Sequence, residues 1–279
     1  MVSNLYHWLP KFYLHSMKFR LQLFELEDQT WFPHVVRQGM MDVLRFMITA
    51  LGIYKPIVPF LAQGLAHTRQ TKLVDLCSGA GGGIQQVWKE LEKQTGQPIS
   101  ITLTDKYPNL EAYQFLAQQS HGALRFSPEP IDATAVPVSM EGFRTVFSAF
   151  HHFSPETATA ILADAVRQNQ GIGVFEGAGK RWHELLLVWL VFPWAILLFT
   201  PFIRPFTWSR LFFTYLVPLI PLGTVWDGTV SLLRLYTPEH LQKMVSTLNA
   251  PQYTWHIGRA RHWSGTGVLY LVGYPTLPA

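Results

Sequence analysis

Three aspartates, Asp75, Asp105 and Asp132, fall 30 and 27 residues apart. A glycine-dense turn, "SGAGGG" from Ser78 to Gly83, follows the first of them. Further along stand the adjacent pair His151 and His152, then Glu176. A carboxylate is a charge-assisted acceptor for sugar hydroxyls. A glycine turn lets backbone approach a ligand closely. An imidazole titrates near neutrality and can move a proton. The chemistry on offer is therefore nucleotide or nucleoside binding beside a proton transfer. A triphosphate-binding loop needs Lys and then Ser or Thr after its last glycine. Here Ile84, Gln85 and Gln86 follow Gly83, which excludes it. The dinucleotide pattern GxGxxG maps onto Gly79 and Gly81 but meets Ile84 where a third small residue is needed. An NAD(P)-dependent oxidoreductase is the weakened rival.

These residues need a scaffold, and the surrounding pattern supplies one. Residues 1 to about 70 read as helical. From residue 71, strands alternate with helices: "KLVDLC", "ISITLTD", the run "ALRFSPEPIDA", "FRTVFSAF" and "GIGVFEG" are strands. "IQQVWKELEKQT" is a helix closed by Gly96, and "SPETATAILADAVRQ" one that starts at Ser154 and Pro155. This order argues for an α/β fold with a parallel sheet covered on both faces. "TPEHLQKMVSTL" is a last helix. "YTWHIGRARHW" and "TGVLYLVGYP" form a closing antiparallel pair joined at Ser264-Gly265. The expected organisation is a helical cap (1–70), a binding core (71–176), an apolar insertion (177–227) and the rest of the core (228–279).

Asp75-Leu76-Cys77-Ser78-Gly79-Ala80-Gly81 resembles the first motif of class I S-adenosylmethionine (SAM)-dependent methyltransferases, acid-x-Gly-x-Gly-x-Gly, with Cys77 in place of the first glycine. Asp105 ends the second strand, Asp132 follows the third, and "FSAFHHFSP" follows the fourth, as in small-molecule methyltransferases. The (D/N)PP(Y/F) tetrad of amino-methylating DNA enzymes is absent. The resemblance covers about residues 70–176 and 236–274. It implies a doubly wound, mostly parallel seven-stranded, Rossmann-like sheet. It also implies SAM as cofactor, held around Asp75, Cys77, Ser78, Gly79, Gly81, Asp105, Lys106, Asp132, Ala133 and Ser148. His151, His152 and Glu176 at the strand-end edge are the candidate bases, with His183 weaker; oxygen or carbon acceptors are favoured. No metal is expected, because His151, His152 and His183 lack helical ligand spacing. A catalytically silent scaffold that docks a partner through the insertion is the alternative outside enzymes.

Composition bounds the partners. The chain of 279 residues is 48% hydrophobic and 14% charged, against roughly a quarter charged in ordinary soluble domains. Mean hydropathy is +0.13. A net charge of +4 is too weak to argue for nucleic acid but suits an anionic membrane surface. Cys77 is the sole cysteine, which fits a reducing cytoplasm. Leu185–Ile203 carries no charge over 19 residues and Leu211–Val225 none over 15. Pro193, Pro201, Pro218 and Pro221 interrupt these runs. A span needs roughly 20 residues, so a hairpin dipping into one leaflet from the cytoplasmic side is expected. A true transmembrane hairpin, and a soluble cytoplasmic lid or homodimer face, are the alternatives. Either gives an apolar wall, hence a hydrophobic small-molecule or lipid substrate. Asp227 and Arg234 are expected to pair or to orient the substrate's head. The first two dozen residues, with Lys11, Lys18 and Arg20, read as a helix packed on the core, or alternatively as an amphipathic helix on a membrane surface.

Overall fold

The structure is a computed structural model that describes Met17 and residues 19–276. The helix expected at the N-terminus falls mostly outside them. Within them, residues 19–33 form no helix. They run as an extended strap whose backbone bonds to distant elements, such as Leu21 N–H to the Leu233 carbonyl. A strap of this kind carries no 3.6-residue repeat, so reading the whole first 70 residues as helical is corrected here.

Seven strands, β1 (Lys72–Leu76), β2 (Ser100–Leu103), β3 (Leu124–Phe126), β4 (Phe143–Phe147), β5 (Ile172–Glu176), β6 (Tyr253–Arg261) and β7 (Gly267–Pro275), form one sheet in the order 3-2-1-4-5-7-6. Strands β1 to β5 are parallel; β7 runs antiparallel to both β5 and β6. β4 and β5 are buried at every position, as strands covered on both faces must be. Their alternating residues feed two cores. Phe143 and Phe175 join one with α2 (Val58–Thr68), α3 (Ile84–Thr95) and α4 (Leu110–Gln119). Val146 and Val174 join the other with α5 (Pro155–Arg167) and α10 (Pro238–Thr247). The helix boundaries follow local chemistry. Ser154 Oγ accepts the Thr157 N–H, Thr237 Oγ1 accepts the His240 N–H, and Gly96 ends α3 at φ 67°.

The apolar insertion folds as α6 (Trp182–Leu190), α7 (Phe192–Phe199), α8 (Trp208–Leu211) and α9 (Leu219–Arg234), against α1 (His34–Leu51). α9 runs unbroken across residue 227, where the sequence suggests the insertion ends. Val36, Met40, Val43 and Met47 of α1 meet Ile196, Ile203 and Ile220 in a third core. Inside this layer Arg210 Nη1 pairs with Asp42 Oδ2 at 2.7 Å, both buried. Among the described residues no single helix is long and apolar enough to cross a membrane; α6 and α7 are bent by 41° and Trp208–Leu216 meets α9 at 80°.

Candidate active site

The glycine turn leaves β1 on the carboxyl edge of the sheet. Cys77, where the motif has its first glycine, adopts φ 55°, a left-handed conformation that glycine takes without strain. Gly81 has φ 74°, and a Cβ there would sit 2.2 Å from Leu116 Cδ1, so any other residue would strain the backbone and push the Leu116 side chain aside. Asp75 is buried beneath the turn and accepts hydrogen bonds from Ser78 Oγ and Thr145 Oγ1, each at 2.7 Å. Burial pushes its carboxyl up to about 7. Asp105 Oδ2 accepts the Gly79 N–H at 2.9 Å and its Oδ1 the Tyr107 N–H at 2.9 Å. Asp132 is held down to about 2 by the Thr134 hydroxyl and the Lys106 ammonium, the latter at 2.9 Å. Burial raises the Cys77 thiol, and the charges of Asp105, Asp75 and Asp132 raise it further. The three carboxylates thus converge on one turn. Ala133 lies in the sheet core with Val136 and Phe150, so its side chain is not free to meet a ligand. Ser148 Oγ is hydrogen-bonded to Tyr54 Oη and accepts the Gly177 N–H at 3.1 Å.

After β4 the chain makes a single 3-10 turn, Phe150–His152, beside the end of β5. This juxtaposes the residues singled out as bases. His151 Nδ1 lies 2.8 Å from Glu176 Oε2, and its backbone N–H donates to Glu176 Oε1 at 3.0 Å. Both side chains are buried. His152 Nδ1 lies 3.0 Å from Asp28 Oδ1, and its Nε2 lies 3.3 Å from Glu25 Oε2 and 3.7 Å from Glu27 Oε1. Burial disfavours the imidazolium, but the Asp28 hydrogen bond and the charges of Glu25, Glu27 and Asp28 outweigh it and push His152 up to about 9. Against the same effect of burial, His152 and Arg234 hold Asp28 down to about 2.

Glu25, Glu27 and Asp28 come from the strap and are the site residues that the sequence reading missed. Their one local signal is an acidic cluster, "ELED", inside an otherwise apolar stretch. Asp227 and Arg234 do not pair with each other, and neither lies at the surface. Asp227 accepts the N–H groups of Leu26 and Glu27 at 2.6 and 3.0 Å. Arg234 bonds Asp28 Oδ2 at 2.9 Å and Glu25 Oε1 at 3.2 Å. Both clamp the strap, as does Arg20, which donates to the carbonyls of Arg234, His151 and Phe153.

Above the strand ends is a cavity of about 490 Å³. Ser148, His151, His152 and Glu176 are among its polar lining residues, with Glu27, Glu184, Asp227, Thr224, Ser231, Ser264 and Thr266. Met40, Leu44 and Met47 of α1, Leu187 and Val188 of α6, Phe192 and Phe199 of α7, and Leu232 of α9 form the apolar walls. His183 is not among its lining residues.

No family model matches the chain, and no curated protein matches its sequence. Solved structures do match. The plantazolicin methyltransferase BpumL, solved in complex with SAH, is similar over 90% of this chain and 94% of its own, at TM-score 0.53 and 12% identity. The plantazolicin methyltransferase BamL matches over 87% and 98% at TM-score 0.48 and 10% identity. An O-methyltransferase family protein from Burkholderia thailandensis matches over 87% of this chain and 61% of its own, at TM-score 0.47 and 13% identity. The first of these likenesses agrees with the strand order, the one reversed strand and the glycine turn after β1: the chain has the fold of the class I methyltransferases.

Proposed function

We propose that the chain is a SAM-dependent methyltransferase that acts on a hydrophobic small molecule or lipid, at oxygen or carbon. The observation that carries this is the buried His151–Glu176 pair on the wall of an apolar cavity, at the sheet edge that also holds the glycine turn. Bound SAM supplies a methyl group activated by its sulfonium. The turn suits its nucleoside: Cys77 and Gly81 hold left-handed backbone, and Asp105 stands at the next strand end. Ile84 is buried in the sheet core, where a dinucleotide-binding turn needs a small residue for helix and strand to approach.

The remaining work falls to the chain's own groups. The cavity walls bind an apolar body and exclude water, which strengthens every polar contact at the closed end. Glu176 accepts the Nδ1 proton of His151 and so leaves Nε2, which lies 3.6 Å from Glu25 Oε1, as the basic nitrogen. Nε2 can take a proton from a phenol, enol or hydroxyl. A positioned base of this kind contributes about 10²–10⁴ in rate. His151→Ala, assayed with labelled SAM against a panel of apolar phenols and enols, is expected to lose about that factor. Calorimetric titration with S-adenosylhomocysteine, NADH and NADPH comes first. Binding of the homocysteine ligand alone supports the reading; binding of a nicotinamide cofactor alone overturns it.

We further propose that the protein works at the cytoplasmic face of a membrane. α6 and α7 line the cavity with one face and turn Trp189, Leu190, Trp194 and Leu198, each more than half exposed, the other way. Trp208, 78% exposed, and Leu216, 74% exposed, extend this surface. Apolar patches of such extent mark membrane or protein contacts. Flotation with anionic vesicles tests it. Failure to bind, together with dimerisation in solution, would assign the surface to a second copy of the chain.

A further inference from the structure

We propose that Glu25, His151 and His152 form a binding site for a divalent transition-metal ion of the zinc type. The ring Nε2 atoms of both histidines and the Glu25 carboxylate lie within 4.8 Å of one another, from residues 126 and 127 positions apart in sequence. His152 Nε2 is 3.3 Å from Glu25 Oε2, and His151 Nε2 is 3.6 Å from Glu25 Oε1. Ligands about 2.0–2.1 Å from a tetrahedral zinc ion lie about 3.4 Å from one another; the His152–Oε2 pair has that spacing, and His151 Nε2, whose short approach is to Oε1, meets an ion on Oε2 by a small shift within the 4.8 Å cluster.

The surroundings match the outer sphere of a metal centre. Each imidazole has a carboxylate on its Nδ1: Glu176 for His151 at 2.8 Å and Asp28 for His152 at 3.0 Å. Such partners fix the tautomer so that Nε2 is the free donor, the usual arrangement for metal-bound histidine. Two of the converging atoms have no hydrogen-bond partner, Glu25 Oε2 and His151 Nε2. Glu25 is fully buried and His151 is 4% exposed. Ser231 Oγ and Arg234 Nη1 both bind Glu25 Oε1, at 3.2 Å each, which leaves Oε2 to an ion. Oε2 otherwise faces only His152 Nε2, and a cation between Oε2 and the two Nε2 atoms would displace any proton held there and satisfy all three. Both histidines line the cavity, so a fourth coordination position opens towards it.

Metal binding does not depend on the methyl-transfer reading; only its effect on activity does. The ion takes the His151 lone pair that removes the acceptor's proton, so the loaded protein is inactive in a base-dependent transfer and recovers on chelation. To test binding, the full chain is stripped with a chelator and titrated with Co²⁺, followed by its visible bands, and with Zn²⁺ by calorimetry. One ion per chain is expected. Glu25→Gln, checked for folding by its thermal melt, should weaken binding at least tenfold, and Glu176→Gln about 10–100-fold. X-ray absorption of the zinc-loaded wild type should show two imidazole nitrogens and needs no variant. Absence of saturable binding, or a ligand sphere without imidazole, overturns the site. Full activity of the zinc-loaded protein would instead overturn His151 as the base and leave the site standing.

Discussion

At the scale of single residues, burial makes Asp75 an unusual carboxylate. Its pKa is raised to about 7, against about 3.9 in an unfolded chain. The folded state therefore favours the protonated form. The stability this gives is complete below about pH 4 and is lost as the pH rises through 7, at up to about 1.4 kcal/mol per pH unit. Asp75→Asn cannot titrate. Its melting temperature relative to wild type should rise from about pH 5 to about pH 8; a constant difference would refute the assignment. Asp105 differs in that it is only partly buried and already accepts a turn N–H. Asp105→Ala should weaken S-adenosylhomocysteine binding by about 1.5–3 kcal/mol, the usual loss when a charged hydrogen-bonding partner is removed, as read by calorimetry. His151 and Glu176 could each be picked out from sequence because each ends a strand-like run. Their pairing could not, because it depends on β4 and β5 being sheet neighbours. Glu25 was hidden further, since the groups its carboxylate pairs with, His151, His152, Ser231 and Arg234, lie at least 126 residues away.

At the scale of elements, the strands and most helix ends were legible because their signals are local. Ser154-Pro155 and Thr237-Pro238 start helices and Gly96 ends one, whatever the rest of the chain does. Arg144 is less legible, as a charge in the middle of a fully buried strand. Its Nη1 meets Asp164 Oδ2 of α5 at 2.5 Å, with both side chains fully buried. Arg144→Met leaves a buried carboxylate with only the exposed Arg167 as a cationic partner. It should destabilise the fold by about 3 kcal/mol in chemical denaturation. Beyond the first turn of α6, which holds His183 and Glu184, α6 and α7 carry apolar residues on both faces, because one face serves α1 and the cavity while the other is exposed. Replacing Trp189, Trp194 and Trp208 by Gln should leave the melting temperature nearly unchanged. It should weaken vesicle binding tenfold or more, since burying one large apolar side chain contributes about 1.5–3 kcal/mol and about 1.4 kcal/mol is a factor of ten.

At the scale of the whole molecule, the insertion is not an appendage. Ile196, Ile203, Ile220 and Arg210 complete the core that α1 begins. A chain lacking residues 185–225 should therefore aggregate, as size-exclusion chromatography would show, because Val36, Met40, Val43 and Met47 lose their cover and Asp42 its buried partner. The strap belongs to the same assembly, with a consequence for how the protein is made. Leu26 is held by Asp227, 201 residues downstream. At the usual elongation rate of 5–20 residues per second, the ribosome needs about 10–40 s to synthesise that interval. For most of it Phe19, Leu23, Phe24 and Trp31 stand outside the ribosome while α9, which anchors the strap, is not complete. The strap is thus made 201 residues ahead of the residue that anchors it, and a chaperone or lipid surface at the tunnel exit would meet it in the interval.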